Sequence, residues 1–185
     1  AVGKTCILGL GYGTGAVKLK STLKMQAGVT VDETEASHFV DIYREVNDKV
    51  INLWKDCDKA LKDIAAWPKK KDPYYLDKHN VIWVCPQGLK LPNGLYIRYP
   101  DLTWDVSEAK SKYVYKSRRG FVSIWGGSVV ENIVQALARI IIGEQMLEIN
   151  KKYRPVLTVH DAVVNVVPTS EIDSAMTYIT DIMSK

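Results

Sequence analysis

Cysteine, histidine and long apolar runs are scarce in this chain of 185 residues. Its three cysteines, Cys6, Cys57 and Cys85, stand far apart and lack the Cys and His spacing that holds zinc. Their odd number and wide separation favour a reducing, intracellular setting. No apolar run approaches the roughly 18 residues of a membrane span, and no signal peptide is recognisable. We therefore expect a cytoplasmic protein with no membrane partner.

The composition is that of an ordinary globular protein, with 46% hydrophobic and 25% charged residues. This excludes a fibrous or wholly disordered chain. The length allows one domain, or two small lobes that share a core. The net charge of +4 and the pI near 8.8 suit a polyanionic partner without requiring one.

The first part of the chain has helical periodicity. Lys4, Leu8 and Tyr12 repeat every four positions, which predicts one stripe of a helix that ends in the following glycines. Asp32 and Glu35 form a capping-box pattern, and apolar residues then follow at spacings of three and four. This predicts one long helix or two in succession. The segment from Trp67 to Pro73, rich in lysine and proline, ends them and is the best boundary in the chain.

The second part alternates between strand and helix patterns. A polar tract interrupts it between Asp101 and Ser111. We predict a hairpin with strands near Asn80–Cys85 and Leu95–Tyr99, strands at Tyr113–Tyr115 and Phe121–Trp125, a helix at Val129–Asn150, strands at Val156–Val159 and Ala162–Val167, and a last helix after Thr169 or Ser170. Helices first, then strands mixed with helices, predict an α+β fold with a helical lobe and a sheet lobe.

Three places carry residues suited to chemistry. His160 and Asp161 interrupt two apolar strands, so they should lie at a tight turn where a carboxylate can meet a hard cation. On the first helix, Lys4, Leu8, Tyr12 and Gly13 could hold a triphosphate at one end and a base at the other. Each pattern also has a structural interpretation, namely a turn aspartate beside a core histidine and a solvated lysine beside a core stripe.

The third place is the helix that follows Gly126-Gly127. It carries the polar residues Glu131, Asn132 and Gln135. The amides among them could donate to base edges in a minor groove, and Arg118 and Arg119 could meet phosphates. A polar helix face exposed to solvent is the structural alternative.

In this order, the segments resemble the second half of the catalytic region of family A (DNA polymerase I-like) enzymes of the bacteriophage type. The resemblance spans nearly the whole chain. Lys4 followed by Tyr12-Gly13 is similar to motif B, and Val159-His160-Asp161 to motif C. Leu95 to Asp101 resembles the palm segment that follows the fingers, which a phrase like Leu91 to Gly94 commonly introduces in the phage enzymes. Gly126 to Gln135 is similar to another phrase typical of those enzymes. Ala162 stands where the family usually has Glu, and Leu8 where it has Phe or Tyr.

The resemblance implies a piece of a right-hand polymerase, with a fingers part at 1–78 and a palm part at 79–185. Its partners would be primer-template DNA and a deoxynucleoside triphosphate, and a phage enzyme would work in the host cytoplasm. Asp161 would supply one half of a site for two Mg²⁺ ions, and Lys4 would neutralise charge on the triphosphate. Leu8, Tyr12 and Gly13 would shape the nucleotide pocket, and Arg118, Arg119, Asn132, Gln135 and His160 would contact DNA.

Motif A, with the other catalytic Asp of this family, is not found in the sequence. We expect it upstream of residue 1, in a missing part of the same polymerase, and we expect the chain alone to be inactive.

Three other functions compete with this interpretation. Gly3-Lys4-Thr5 matches the end of a P-loop, and Val156 to Asp161 resembles the strand that accompanies one in an ATPase. Gly11, Gly13 and Ala16 fit a relaxed dinucleotide fingerprint, but no acidic residue ends a second strand at the expected distance. A non-catalytic DNA-binding module is the remaining alternative.

Overall fold

The computed structural model describes residues 2–67, 71–107 and 111–184, and the chain begins with four helices. These are α1 (Val2–Gly11), α2 (Ala16–Ala27), α3 (Glu33–Val46) and α4 (Asp48–Ala65). The predicted first helix is confirmed. The long periodic stretch forms two helices, because the helical conformation is interrupted at Asn47. The predicted boundary is described only in part, since residues 68–70 lie outside the described ranges.

The N-terminus of α3 has the predicted capping box. The Glu35 amide donates to the Asp32 carboxylate at 2.8 Å, and the Asp32 amide donates to the Glu35 carboxylate at 3.1 Å. Both donors would otherwise lack a partner at a helix start. Helices α1 to α3 then bury a shared apolar cluster formed by Leu10, Leu19, Leu23, Val31, Ala36 and Val40.

Four short antiparallel strands follow, β1 (Tyr74–Tyr75), β2 (Trp83–Cys85), β3 (Gly88–Lys90) and β4 (Tyr96–Ile97), in the order β1-β2-β3-β4. The sequence predicted a simple hairpin here. That prediction was incomplete, because β3 lies between the two expected strands and pairs with both. It was missed because Gly88, which has φ +124°, looks like a turn residue.

A second antiparallel sheet has the order β5-β6-β7, with β5 (Thr103–Asp105), β6 (Lys112–Ser117) and β7 (Gly120–Ile124). Strands β6 and β7 confirm the two predicted there. Strand β5 lies in the polar tract from Asp101 to Ser111, where no strand was predicted. Residues 108–110 of that tract are outside the described residues.

The remaining elements are α5 (Gly126–Ile149), the hairpin β8 (Pro155–Val159) and β9 (Ala162–Asn165), a 3₁₀ turn (Thr169–Glu171) and α6 (Ile172–Met183). The hairpin and the last helix match the predictions. Helix α5 begins three residues earlier than predicted, so Gly126 and Gly127 belong to its first turn. No helix in the described ranges has the length and hydropathy of a membrane span.

The architecture confirms a mixed α+β fold with antiparallel sheets. Among the described residues, helices end at Ala65 and the first strand begins at Tyr74. By packing, the chain forms two compact units, Ala1–Ile133 and Val134–Lys185, and the division falls within α5. The assignment of fingers to 1–78 and palm to 79–185 stays a prediction.

Gly126 lets α5 begin directly against α4. A Cβ at this position would lie 1.9 Å from the backbone oxygen of Trp54, a contact that real side chains do not make. The Gly126 amide donates to the Asp58 carboxylate at 2.6 Å, which satisfies one of the free donors of the helix start. Desolvation raises the pKa of Asp58, and this hydrogen bond opposes the rise.

We expect Gly126→Ala to lower the free energy of unfolding by about 2–3 kcal/mol, because the methyl group must push α5 away from α4. Gly143→Ala is the matched control in the same helix. Nothing lies within 4 Å of its added Cβ, so the exchange should stabilise by about 0.5–1 kcal/mol. Urea unfolding measures both. Equal effects of the two substitutions would contradict the close packing.

Candidate nucleotide and nucleic-acid site

Helix α1 presents the predicted stripe to solvent. Lys4 is exposed, Leu8 is 53% exposed, and Tyr12, one residue past the helix, is 59% exposed. The opposite face buries Thr5 and Leu10, so packing against α2 and α3 fixes which side of α1 faces outward. The structure therefore places a cation, an apolar side chain and an aromatic ring in succession along one accessible surface.

The turn after α1 depends on Gly13. Its φ of +72° lies in the left-handed region, and its amide donates to the Leu10 carbonyl at 2.9 Å while the Thr14 amide donates to the Gly9 carbonyl at 3.2 Å. This pair of bonds is a Schellman motif, in which glycine is strongly preferred. Tyr12 is thereby held at a defined position at the end of the stripe.

Trp125 fixes that turn to the start of α5. A Cβ at Gly13 would lie 2.3 Å from the Trp125 ring, and one at Gly127 would lie 2.2 Å from it, so the ring edge fits between two glycines. The same ring makes an edge-to-face contact with Trp54, with centroids 5.2 Å apart. Two glycine-containing motifs that are distant in sequence therefore meet on one indole.

Arg118 and Arg119 form the tip of the β6–β7 hairpin. Both are exposed, and the two strands close at the pair Ser117 and Gly120. The Ser117 hydroxyl donates to the Gly120 carbonyl at 2.8 Å and accepts from the Arg119 amide at 3.1 Å. Two hydrogen bonds of Ser117 therefore stabilise the turn, and both guanidinium groups are accessible to phosphates.

Asn132 and Gln135 lie on α5 but differ in their surroundings. Asn132 is half-buried and its amide donates to the Tyr99 hydroxyl at 3.2 Å. Burial raises the pKa of Tyr99 to about 12, so this hydroxyl stays neutral. Gln135 is exposed. The amide of Asn132 is therefore partly engaged within the protein, and contact of either residue with DNA stays a prediction.

His160 and Asp161 form the two-residue turn between β8 and β9, as predicted. Both side chains are exposed, and His160 has a φ of +54°, which is uncommon outside glycine. The adjoining strands are not the core strands that their composition suggested, since Leu157, Val159 and Val164 are all exposed on one face. The hairpin thus holds the Asp161 carboxylate at an accessible tip.

The described residues contain no group of three or more His, Cys, Asp or Glu side chains that could hold a metal ion. Asp161 alone offers one hard oxygen ligand, which is the type that Mg²⁺ prefers. A two-ion site would need further carboxylates beside it.

Comparison with known proteins links the chain to a viral DNA polymerase. The chain is 31% identical to a DNA polymerase of Bacillus phage SP02, in a match that covers 90% of this chain and 26% of the phage protein. The chain is related to a DNA polymerase. It spans about a quarter of that relative's length, and neither a protein-family model nor a solved structure matches it.

The polymerase relationship confirms the prediction at this level, whereas membership of family A and a place in the C-terminal part stay predictions. The predicted site residues of the present chain fall into both compact units. Gln135, His160 and Asp161 lie in the unit Val134–Lys185. The others, Lys4, Leu8, Tyr12, Gly13, Arg118, Arg119 and Asn132, lie in the unit Ala1–Ile133.

The P-loop and dinucleotide interpretations do not fit the structure. Lys4 and Thr5 lie within α1, and Thr5 is buried, so its hydroxyl is not presented to a cation as a P-loop requires. Gly11 and Gly13 connect two helices, whereas a dinucleotide fingerprint follows a strand. Every strand pair is antiparallel among the described residues.

Sequence reasoning missed Trp125 and Asp58. An aromatic residue directly before Gly126-Gly127 was a visible signal for Trp125, because paired glycines allow close approach of a large ring. Asp58 had no such signal, since its partner is the amide at Gly126, far along the chain.

Proposed function

We propose that this chain is part of a family A DNA polymerase and takes part in template-directed transfer of a nucleotide from a deoxynucleoside triphosphate to a primer 3′ hydroxyl. The observation that carries the proposal is the similarity to the phage SP02 DNA polymerase over 90% of the chain. The exposure of the α1 stripe and of the hairpin tip at Asp161 supports it, because a polymerase needs both surfaces accessible.

The α1 stripe is proposed to bind the incoming nucleotide. Lys4 would place its ammonium against the triphosphate, where negative charge develops on the leaving pyrophosphate. Leu8, one turn later, would offer an apolar contact, and Tyr12 with Gly13 would shape the pocket around the new base pair. Specificity would come from pairing with the template and from shape, as no base code is read by the protein.

Asp161 is proposed as one ligand of the catalytic metal site. Its exposed carboxylate suits Mg²⁺, and a second Asp from motif A would complete the site. Mg²⁺ bound there would supply positive charge that stabilises the transfer of the nucleotide. Asp161 would hold an anionic oxygen at the tip of the β8–β9 turn.

The remaining polar residues are proposed to grip primer-template DNA. Arg118 and Arg119 would contact phosphates from the β6–β7 tip, and His160 would lie beside the primer terminus next to Asp161. Asn132 and Gln135 on α5 would face the minor groove. Phosphate contacts of this kind release counterions, so binding should weaken as salt rises.

The proposal can be tested in a hybrid polymerase, in which this chain replaces the matching segment of the phage SP02 enzyme. We expect Lys4→Ala in this hybrid to lower kcat/KM for the nucleotide by roughly 10- to 100-fold, because a charge-assisted contact to the triphosphate is lost. The affinity for primer-template DNA should change little. Steady-state primer extension and a DNA binding titration measure the two quantities.

Lys20→Ala is the matched control, because Lys20 is also an exposed lysine, on α2 of the same unit. It should leave both quantities within about twofold of the unsubstituted hybrid, as most surface changes do. A loss confined to DNA affinity in Lys4→Ala would place Lys4 on the duplex and contradict its role at the triphosphate.

A further inference from the structure

A groove with a volume of about 910 Å³ lies between α4 and the β5–β7 sheet. We propose that this aromatic groove, lined by Lys59, Lys62, Trp104, Tyr113 and Trp125, binds an unpaired DNA strand. It contains none of the residues assigned above to the nucleotide, the metal or the duplex. The inference deepens the proposed function and rests on it for the identity of that strand as template.

The groove presents aromatic rings that are both exposed and held in place. Trp104 is 52% exposed, and its ring meets Tyr113 edge to face, with centroids 4.7 Å apart. The two residues are also direct partners in the β5–β6 ladder. Trp125 is 39% exposed, and its ring packs against Trp54 and against the backbone at Gly13 and Gly127. Rings that are already ordered lose little entropy when a base stacks on them.

The helical side of the groove supplies positive charge. Lys59 and Lys62 are three residues apart on α4, which places them on one face of the helix, and both are exposed. Asp58 also lines the groove, and its carboxylate accepts a hydrogen bond from the Gly126 amide, so its negative charge lies at the N-terminus of α5. A basic wall beside stacking rings matches the chemistry of a strand with phosphates and exposed bases.

Exposed aromatic faces favour an unpaired strand over a duplex. In a duplex the bases stack on each other and only their edges are accessible, whereas an unpaired base can stack on a side chain. Trp125 also packs on Gly13, the residue that follows Tyr12 at the end of the α1 stripe. The groove therefore adjoins the place where the template base would pair with the incoming nucleotide.

The test measures binding of the 185-residue chain to a fluorescent oligothymidylate of about twelve nucleotides. This length is within the usual site size of proteins that bind single-stranded DNA. An abasic strand and a blunt duplex of equal length serve as comparison ligands. We expect Trp104→Ala to weaken oligothymidylate binding about tenfold, as loss of one stacked base predicts, and to leave binding of the abasic strand unchanged. Trp104→Phe should restore most of the affinity.

Trp83→Ala is the matched control, because Trp83 is also partly exposed, lies on a three-residue strand and meets Tyr75 edge to face at 4.8 Å. It should leave oligothymidylate binding unchanged. An equal loss in Trp83→Ala, an equal loss on the abasic strand, or duplex binding as tight as that of oligothymidylate would each overturn the proposal.

The two proposals can fail separately. An inactive hybrid polymerase with Trp104-dependent strand binding would count against the polymerase assignment alone. An active hybrid whose strand binding does not depend on Trp104 would count against the groove alone.

Discussion

Asp161→Ala in the hybrid polymerase is expected to slow nucleotide incorporation by more than about 10³-fold while primer-template affinity stays nearly the same. The expected loss of rate is this large because removing one group that stabilises a reacting oxygen already lowers kcat by about 10²–10³-fold. Loss of a metal ligand would disturb the stabilisation of both reacting oxygens. DNA affinity is spared because it depends on many phosphate contacts. Single-turnover incorporation and a binding titration measure the two effects.

Asp181→Ala provides the matched control, since Asp181 is an exposed carboxylate on α6 in the same unit. Its incorporation rate should match that of the unsubstituted hybrid. Near-normal turnover by the Asp161 variant would remove Asp161 from the metal site. A slow Asp181 variant would point to a general effect of lost negative charge.

The 185-residue chain by itself is expected to bind DNA and to extend no primer. Among the described residues, no three potential ligands come together, and one carboxylate cannot hold two Mg²⁺ ions against their mutual repulsion. The net charge of +4 and the exposed arginines at the β6–β7 tip should still give weak binding. That binding should fall as salt rises, because each phosphate contact releases counterions.

Primer extension by the purified chain, beside DNA titrations at two salt concentrations, tests this expectation. A chain that binds without extending, with lower affinity at the higher salt, agrees with it. Measurable extension would mean that a second metal ligand exists within the chain, and binding that is indifferent to salt would exclude the phosphate contacts.

Local signals predicted those elements whose geometry depends on neighbouring residues. The capping box at Asp32 and Glu35 formed as expected, because both partners lie within one turn. The His160-Asp161 turn was visible because two polar residues separate two apolar strands, and the end of α1 followed from its glycines. At these positions, short-range sterics and hydrogen bonding decide the conformation.

Predictions from the sequence were incomplete or missing where contacts between distant residues decide the structure. Strand β3 exists because Gly88–Lys90 pairs with strands on both sides, although its own three residues have no strand pattern. The start of α5 at Gly126 depends on α4, which leaves room for glycine only. The aromatic groove needs Trp104 and Trp125 beside α4, and no spacing in the sequence could indicate that arrangement.

Addition of a single nucleotide by the hybrid polymerase tests the central claim most directly. With primer-template DNA and Mg²⁺, we expect the hybrid to add the nucleotide complementary to the template base, for each of the four templates, and to add none when the complementary nucleotide is withheld. A hybrid that unfolds cooperatively and binds primer-template DNA, yet adds no nucleotide or adds nucleotides without regard to the template, would contradict it.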